Sequence, residues 1–144
     1  MPASSATYHS AVSQLTSTGA PFEIIDSVAN GTAFKAYKNA AQSLLAVVNE
    51  GRQFDTAPFV TYQGKTLSFA DFFAHVDRLR SLLIVQQQIQ KGDKIAIAMR
   101  NCPEWMIAFV AILGCGAVAV PLNSWGREEE LSQGLDDSEA KLVI

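Results

Sequence analysis

Two short stretches carry residue types that could handle a phosphate. Gly114-Cys115-Gly116-Ala117-Val118-Ala119 spells G-x-G-x-x-A, the spacing of a dinucleotide-binding turn. Such a turn works after a strand and before a helix, where the pyrophosphate meets the positive end of the helix dipole. Here a helix-like apolar run precedes the glycines and a β-branched run follows them. They present the wrong end of the dipole and read as a helix stop with close packing. Thr16-Ser17-Thr18-Gly19 is rich in hydroxyls, but no lysine follows closely and no apolar strand leads into it, so it reads as a solvated stretch.

The remaining candidates are weaker. His75 sits between apolar positions of a helical pattern, beside Asp71 and Arg78, with no second His or Cys at ligand spacing. It reads as a boundary histidine, and His9 has no chemical context at all. Glu128, Glu129 and Glu130 stand where carboxylates favour a helix start. Asn30-Gly31-Thr32 formally matches a glycosylation acceptor, idle in a chain that is not secreted. No Ser/His/Asp set or metal cluster can be assembled, so the sequence assigns no catalytic, cofactor-binding or metal-binding residue.

The elements that would position any site follow from period and punctuation. Residues 1 to 31, rich in Ser, Thr, Ala and Gly, show no clear period and read as an extended N-terminal arm; residues 32 to 144 read as one partial α/β domain. Phe34, Tyr37, Ala41, Leu44, Leu45 and Val48 recur at helical spacing, which predicts an amphipathic helix over Thr32–Glu50, capped by Asn30 or Thr32 and closed by Gly51. PFVTYQGKTLSF predicts a β-hairpin around Gln63-Gly64. Ser68 and Asp71 form a capping signature for a helix running to about Gln88. A strand over Ile95 to Met99 and a helix opened by Asn101, with Pro103 in its first turn, come next. A short polar helix over Glu128 to Leu135 and a buried strand over Ala140 to Ile144 complete the pattern.

The uncharged run from Trp105 to Leu122 raises the question of a membrane span. It is eighteen residues long, just short of the roughly 20 needed to cross a bilayer. Its central glycines divide it into an apolar helix, Trp105 to Leu113, and a strand, Ala117 to Leu122, whose apolar character suits a parallel sheet covered on both faces. Strand, helix, strand, helix, strand at this spacing predicts parallel crossover units. The fold class is therefore α/β, the N-terminal portion of a doubly wound, largely parallel sheet with flanking helices and a leading β-hairpin.

Composition narrows the function classes. Of 144 residues, 49% are hydrophobic and 17% charged, the latter below the roughly 25% usual for soluble domains. Excess apolar surface and a sheet stopping on a strand at Ile144 predict self-association. A net charge of −3 offers no footprint for nucleic acid or an anionic membrane. The two cysteines, Cys102 and Cys115, are too few for a disulfide framework. With no secretory signal in MPASSATYHS, they fit a reducing, cytoplasmic setting.

LSFADFFAHVDRLRSLL, KGDKIAIAMRNCPEWMIAFVAILGCGAVAVPLN and DDSEAKLVI follow one another in a set order and spacing over about residues 58 to 144. In that order and spacing they resemble the start of the adenylate-forming superfamily, the AMP-binding ligases that include acyl-CoA synthetases, luciferases and peptide-synthetase adenylation domains. The leader from about residue 19 is similar in layout to that of acyl-CoA ligases. Departures are Phe69 for tyrosine, Phe72 for leucine, and Cys115 within a small-residue turn.

The resemblance implies that a carboxylate attacks the α-phosphate of Mg-ATP to give an acyl-adenylate and pyrophosphate, and that a thiol, usually coenzyme A, then takes the acyl group; the leader points to a fatty or aromatic acid, with fatty acid the expectation. It also implies that the phosphate loop, the ribose-holding Asp and the catalytic lysine lie beyond Ile144. The fragment alone is then expected to be inactive, to bind no cofactor, and to have the acid substrate and the remainder of the ligase as partners. Pro121-Leu122-Asn123 belongs to the family pattern and reads first as a strand exit; Asn101 reads as a helix cap. Two other readings are a stand-alone non-catalytic α/β module and the front of a peptide-synthetase adenylation domain.

Overall fold

The structure, a computed structural model, describes residues 5–144, which fall into two compact units divided between Ser43 and Leu44. The first unit begins with helix α1 (Ser5–Thr16), followed by strands β1 (Ile24–Ala29) and β2 (Thr32–Tyr37) paired antiparallel. Asn30 and Gly31 both take positive φ, 50° and 78°, the two-residue turn whose twist matches that of a hairpin. This corrects two expectations: the described part of the expected arm, residues 5 to 31, holds a helix and a strand, and residues 32 to 37 are a strand rather than the start of a helix. The reason is local. Once Asn30-Gly31 reverses the chain, Ile24 pairs with Tyr37 and Ser27 with Phe34, and Phe34 and Tyr37, which would share one face of a helix, fall on opposite faces of a strand. Only the end of the expected helix forms, as α2 (Leu44–Asn49) in the second unit.

After α2 a 3-10 turn (Glu50–Phe54) leads to strands β3 (Pro58–Tyr62) and β4 (Lys65–Ser68). This is the hairpin expected around Gln63-Gly64, whose φ values of 48° and 75° repeat the same turn chemistry. Helix α3 (Phe69–Val85) follows without a gap. Ser68 Oγ accepts the Asp71 N–H at 3.0 Å while the Asp71 carboxylate accepts the Ser68 N–H at 3.2 Å, so the expected capping box is present. The helix ends three residues before Gln88 because the chain turns to bury Ile89, whose N–H donates to the Leu83 carbonyl.

The parallel sheet comprises β5 (Lys94–Ile97), β6 (Val118–Pro121) and β7 (Leu142–Val143) in the order β6-β5-β7. Helix α4 (Pro103–Gly114) connects β5 to β6, and helix α5 (Glu128–Ser138) carries the chain back past β5 to β7. Because parallel crossovers share one hand, reversing the direction of travel is what sends successive helices to opposite faces, as in a doubly wound sheet. The uncharged run from Trp105 to Leu122 is α4 plus β6, and among the described residues no helix is long and apolar enough to cross a membrane.

Helix α4 starts at Pro103 with Cys102 as its N-cap and no side-chain hydrogen bond there. Asn101 is therefore not the cap: proline fixes the first helical position, which leaves Asn101 one residue too early. At the other end the Ala117 N–H reaches the Ile112 carbonyl and the Gly116 N–H the Leu113 carbonyl, with Gly116 at φ 69°. That is the Schellman closure of a helix. Phe72, Leu83, Ile95, Ile97 and Ile112 are the largest fully buried side chains among the described residues, filling the space between α3, α4 and the sheet.

Candidate strand-end site

In a doubly wound sheet, ligands bind beyond the carboxyl ends of the strands, beside the strand where the winding reverses. Here that strand is β5, with β6 on one side and β7 on the other. The exits are tied to the sheet: the Leu122 N–H donates to the Ile97 carbonyl at 3.0 Å, and the Ala98 N–H to the Ile144 carbonyl at 2.8 Å. The loop after β5 carries Arg100 and Asn101; the loop after β6 carries Asn123, Ser124 and Trp125.

The second loop is shaped by Asn123. Its Oδ1 accepts the Trp125 N–H at 3.1 Å and its carbonyl accepts the Gly126 N–H at 2.9 Å, an Asx turn within a tight reversal. Gly126 suits this close approach, since a Cβ would lie a tight 3.0 Å from the Asn123 carbonyl oxygen. The reversal presents Trp125 outward, 77% exposed. The Arg100 guanidinium lies 3.3 Å from its ring centroid, a cation–π contact linking the two loops. No carboxylate forms a salt bridge with Arg100 among the described residues. The result is an exposed aromatic face beside an unneutralised cation, suited to a flat ring that carries negative charge.

The amino end of the sheet is built differently. Lys141 Nζ lies 2.6 Å from Asp93 and also reaches the Gln88 carbonyl, and Lys94 pairs with Glu139 at 3.3 Å. The Lys141 ammonium, with the Gln90 N–H, holds the Asp93 carboxyl below its usual range. Charges at this end are paired with one another and fasten β7 to β5.

The stretches singled out by type and spacing serve the fold. The G-x-G-x-x-A segment is the α4 closure just described. In the hydroxyl run, Thr16 donates to the Val12 carbonyl and Ser17 to the Gln14 carbonyl, and the Glu23 carboxylate accepts the Gly19 N–H at 3.0 Å. A carboxylate already occupies the place an anionic ligand would need. His75 is exposed on α3, and among the described residues no group of three His, Cys, Asp or Glu could hold a metal ion. Cys102 and Cys115 are free and half-buried, and burial pushes the Cys115 thiol up. Arg100 and Trp125 were not singled out by motif. The signal was available in Asn123-x-Trp125-Gly126 directly after an apolar strand, a turn that must display its third residue.

Residues 47–144 match the family described as AMP-binding enzyme. Over 103 residues the chain is 29% identical to a long-chain-fatty-acid–CoA ligase of Bacillus subtilis, covering 72% of this chain and 18% of that protein. Over 97 residues it is 31% identical to an oxalate–CoA ligase of Arabidopsis thaliana, covering 67% of this chain and 19% of that protein. The chain therefore spans less than a fifth of either relative. Among solved structures, the N-terminal subdomain of Klebsiella oxytoca NpsA in complex with anthranilyl-AMSN superposes with a TM-score of 0.65 at 24% identity, covering 70% of this chain and 26% of that one. That likeness speaks to the α/β fold. With more than half its length matched, the chain belongs to the AMP-binding enzyme family.

Proposed function

We propose that the chain is the front portion of an ATP-dependent, AMP-forming acid–CoA ligase, and that its part in the reaction is to build one wall of the nucleotide crevice. The observation that carries this reading is the Arg100–Trp125 pair at the carboxyl end of a parallel β6-β5-β7 sheet. Trp125 offers a stacking face for a nucleotide base, and Arg100 offers a charge to its phosphates. Activation of a carboxylate by attack on the α-phosphate of Mg-ATP needs triphosphate clamping and charge neutralisation. The groups for that work are proposed to come from other parts of the protein; the hydroxyl-rich Thr16–Gly19 turn does not supply them, since the Glu23 carboxylate already accepts the Gly19 N–H. Coenzyme A as acceptor and a fatty acid as substrate follow the Bacillus subtilis relative. The two free, half-buried thiols support a reducing, cytoplasmic setting.

The test is to express the complete open reading frame containing this chain and supply ATP, magnesium, coenzyme A and carboxylic acids of graded length. Acyl-CoA and AMP appearing together, best with long chains, is the expected outcome. Cleavage of ATP to ADP, or no acid-dependent turnover, overturns the reading. Separately, Val118 and Val143 are about half exposed, 48% and 46%, and lie on one sheet face by the parallel register that aligns Ala96 with Val120 and Val143. The isolated chain should therefore self-associate. Sedimentation showing monomers over a wide concentration range would contradict this.

A further inference from the structure

We draw no further inference here: the strongest candidate, the aromatic groove of about 500 Å³ walled by Phe54, Phe59, Phe69, Trp105 and Phe109 beside α3 and α4, is an apolar face with nothing in the structure to show what covers it.

Discussion

The two units reach order by opposite means. Every buried apolar residue among those described lies between Phe72 and Ala117, in the second unit, whereas the only buried residue of the first is a charged one, Glu23. The second unit follows the usual logic of a domain: α3 and α4 close over the sheet and remove whole side chains from water. The first presents Tyr8, Val12, Phe22, Val28 and Tyr37 outward. Its order rests on a six-residue antiparallel register, the Asn30-Gly31 turn, and Glu23, which joins the Gly19 N–H to the Lys38 ammonium. An isolated two-stranded hairpin is at best marginally stable in water. The contrast teaches that apolar residues in a sequence say little until something covers them, and that a hairpin can be ordered by its turn, polar contacts and the edge contact of Phe22 with Tyr37, without a buried apolar core.

The comparison breaks most visibly at Phe72. Its ring is 1% exposed and lies 4.9 Å from Phe59 and 5.3 Å from Phe73, centroid to centroid. Phe72→Ala should cost about 3–5 kcal/mol in denaturant unfolding of the second unit; a loss below about 1 kcal/mol would mean that this cluster is not where its stability resides. Gly116→Ala comes next. Its φ of 69° is unfavourable for a side chain, and the left-handed conformation costs roughly 1–2 kcal/mol; an unchanged midpoint would remove the Schellman closure from the account.

A smaller, pH-dependent effect belongs to the first unit. The Gly19 N–H, then the Lys38 ammonium, hold the Glu23 carboxyl below its ordinary range. A group with a depressed folded pKa contributes stability above its unfolded pKa and loses that contribution as pH falls through its folded pKa. Amide protection across β1 and β2 should therefore decline below the usual carboxylate range. Glu23→Gln should lower protection at neutral pH and flatten this acid dependence, and an unaltered profile would separate the hairpin from its ion pair. The smallest stability effect is expected at Trp125. Being largely exposed, Trp125→Ala should move stability by no more than about 0.5 kcal/mol, while raising the KM for ATP in the ligase proposed for the complete protein. An unchanged KM for ATP would separate Trp125 from nucleotide binding.

How much of this was legible in the sequence depended on whether local chemistry and long-range packing agreed. The Ser68 capping box, the Gln63-Gly64 hairpin and the division of the Trp105 to Leu122 run all appeared as expected, because each local signal coincided with the packing. Residues 32 to 37 depart from the helical expectation because apolar spacing alone does not separate two turns of helix from a short strand. The deciding signal is Asn30-Gly31, which makes a hairpin turn and not a helix cap. Asn101 failed as a cap because Pro103 set the first helical residue. The strand-end pair was least visible: Arg100 and Trp125 are 25 residues apart in sequence, and only the parallel pairing of β5 with β6 brings their loops together.

The most direct measurement is acid-dependent ATP–pyrophosphate exchange, run side by side on this 144-residue chain and on the protein from the complete open reading frame. Exchange is expected from the complete protein and none from the chain alone if, as proposed, the chain supplies a wall of the crevice and the groups that clamp the triphosphate come from elsewhere. Exchange by the isolated chain would contradict that proposal, placing the chemistry in residues to which no catalytic role has been given.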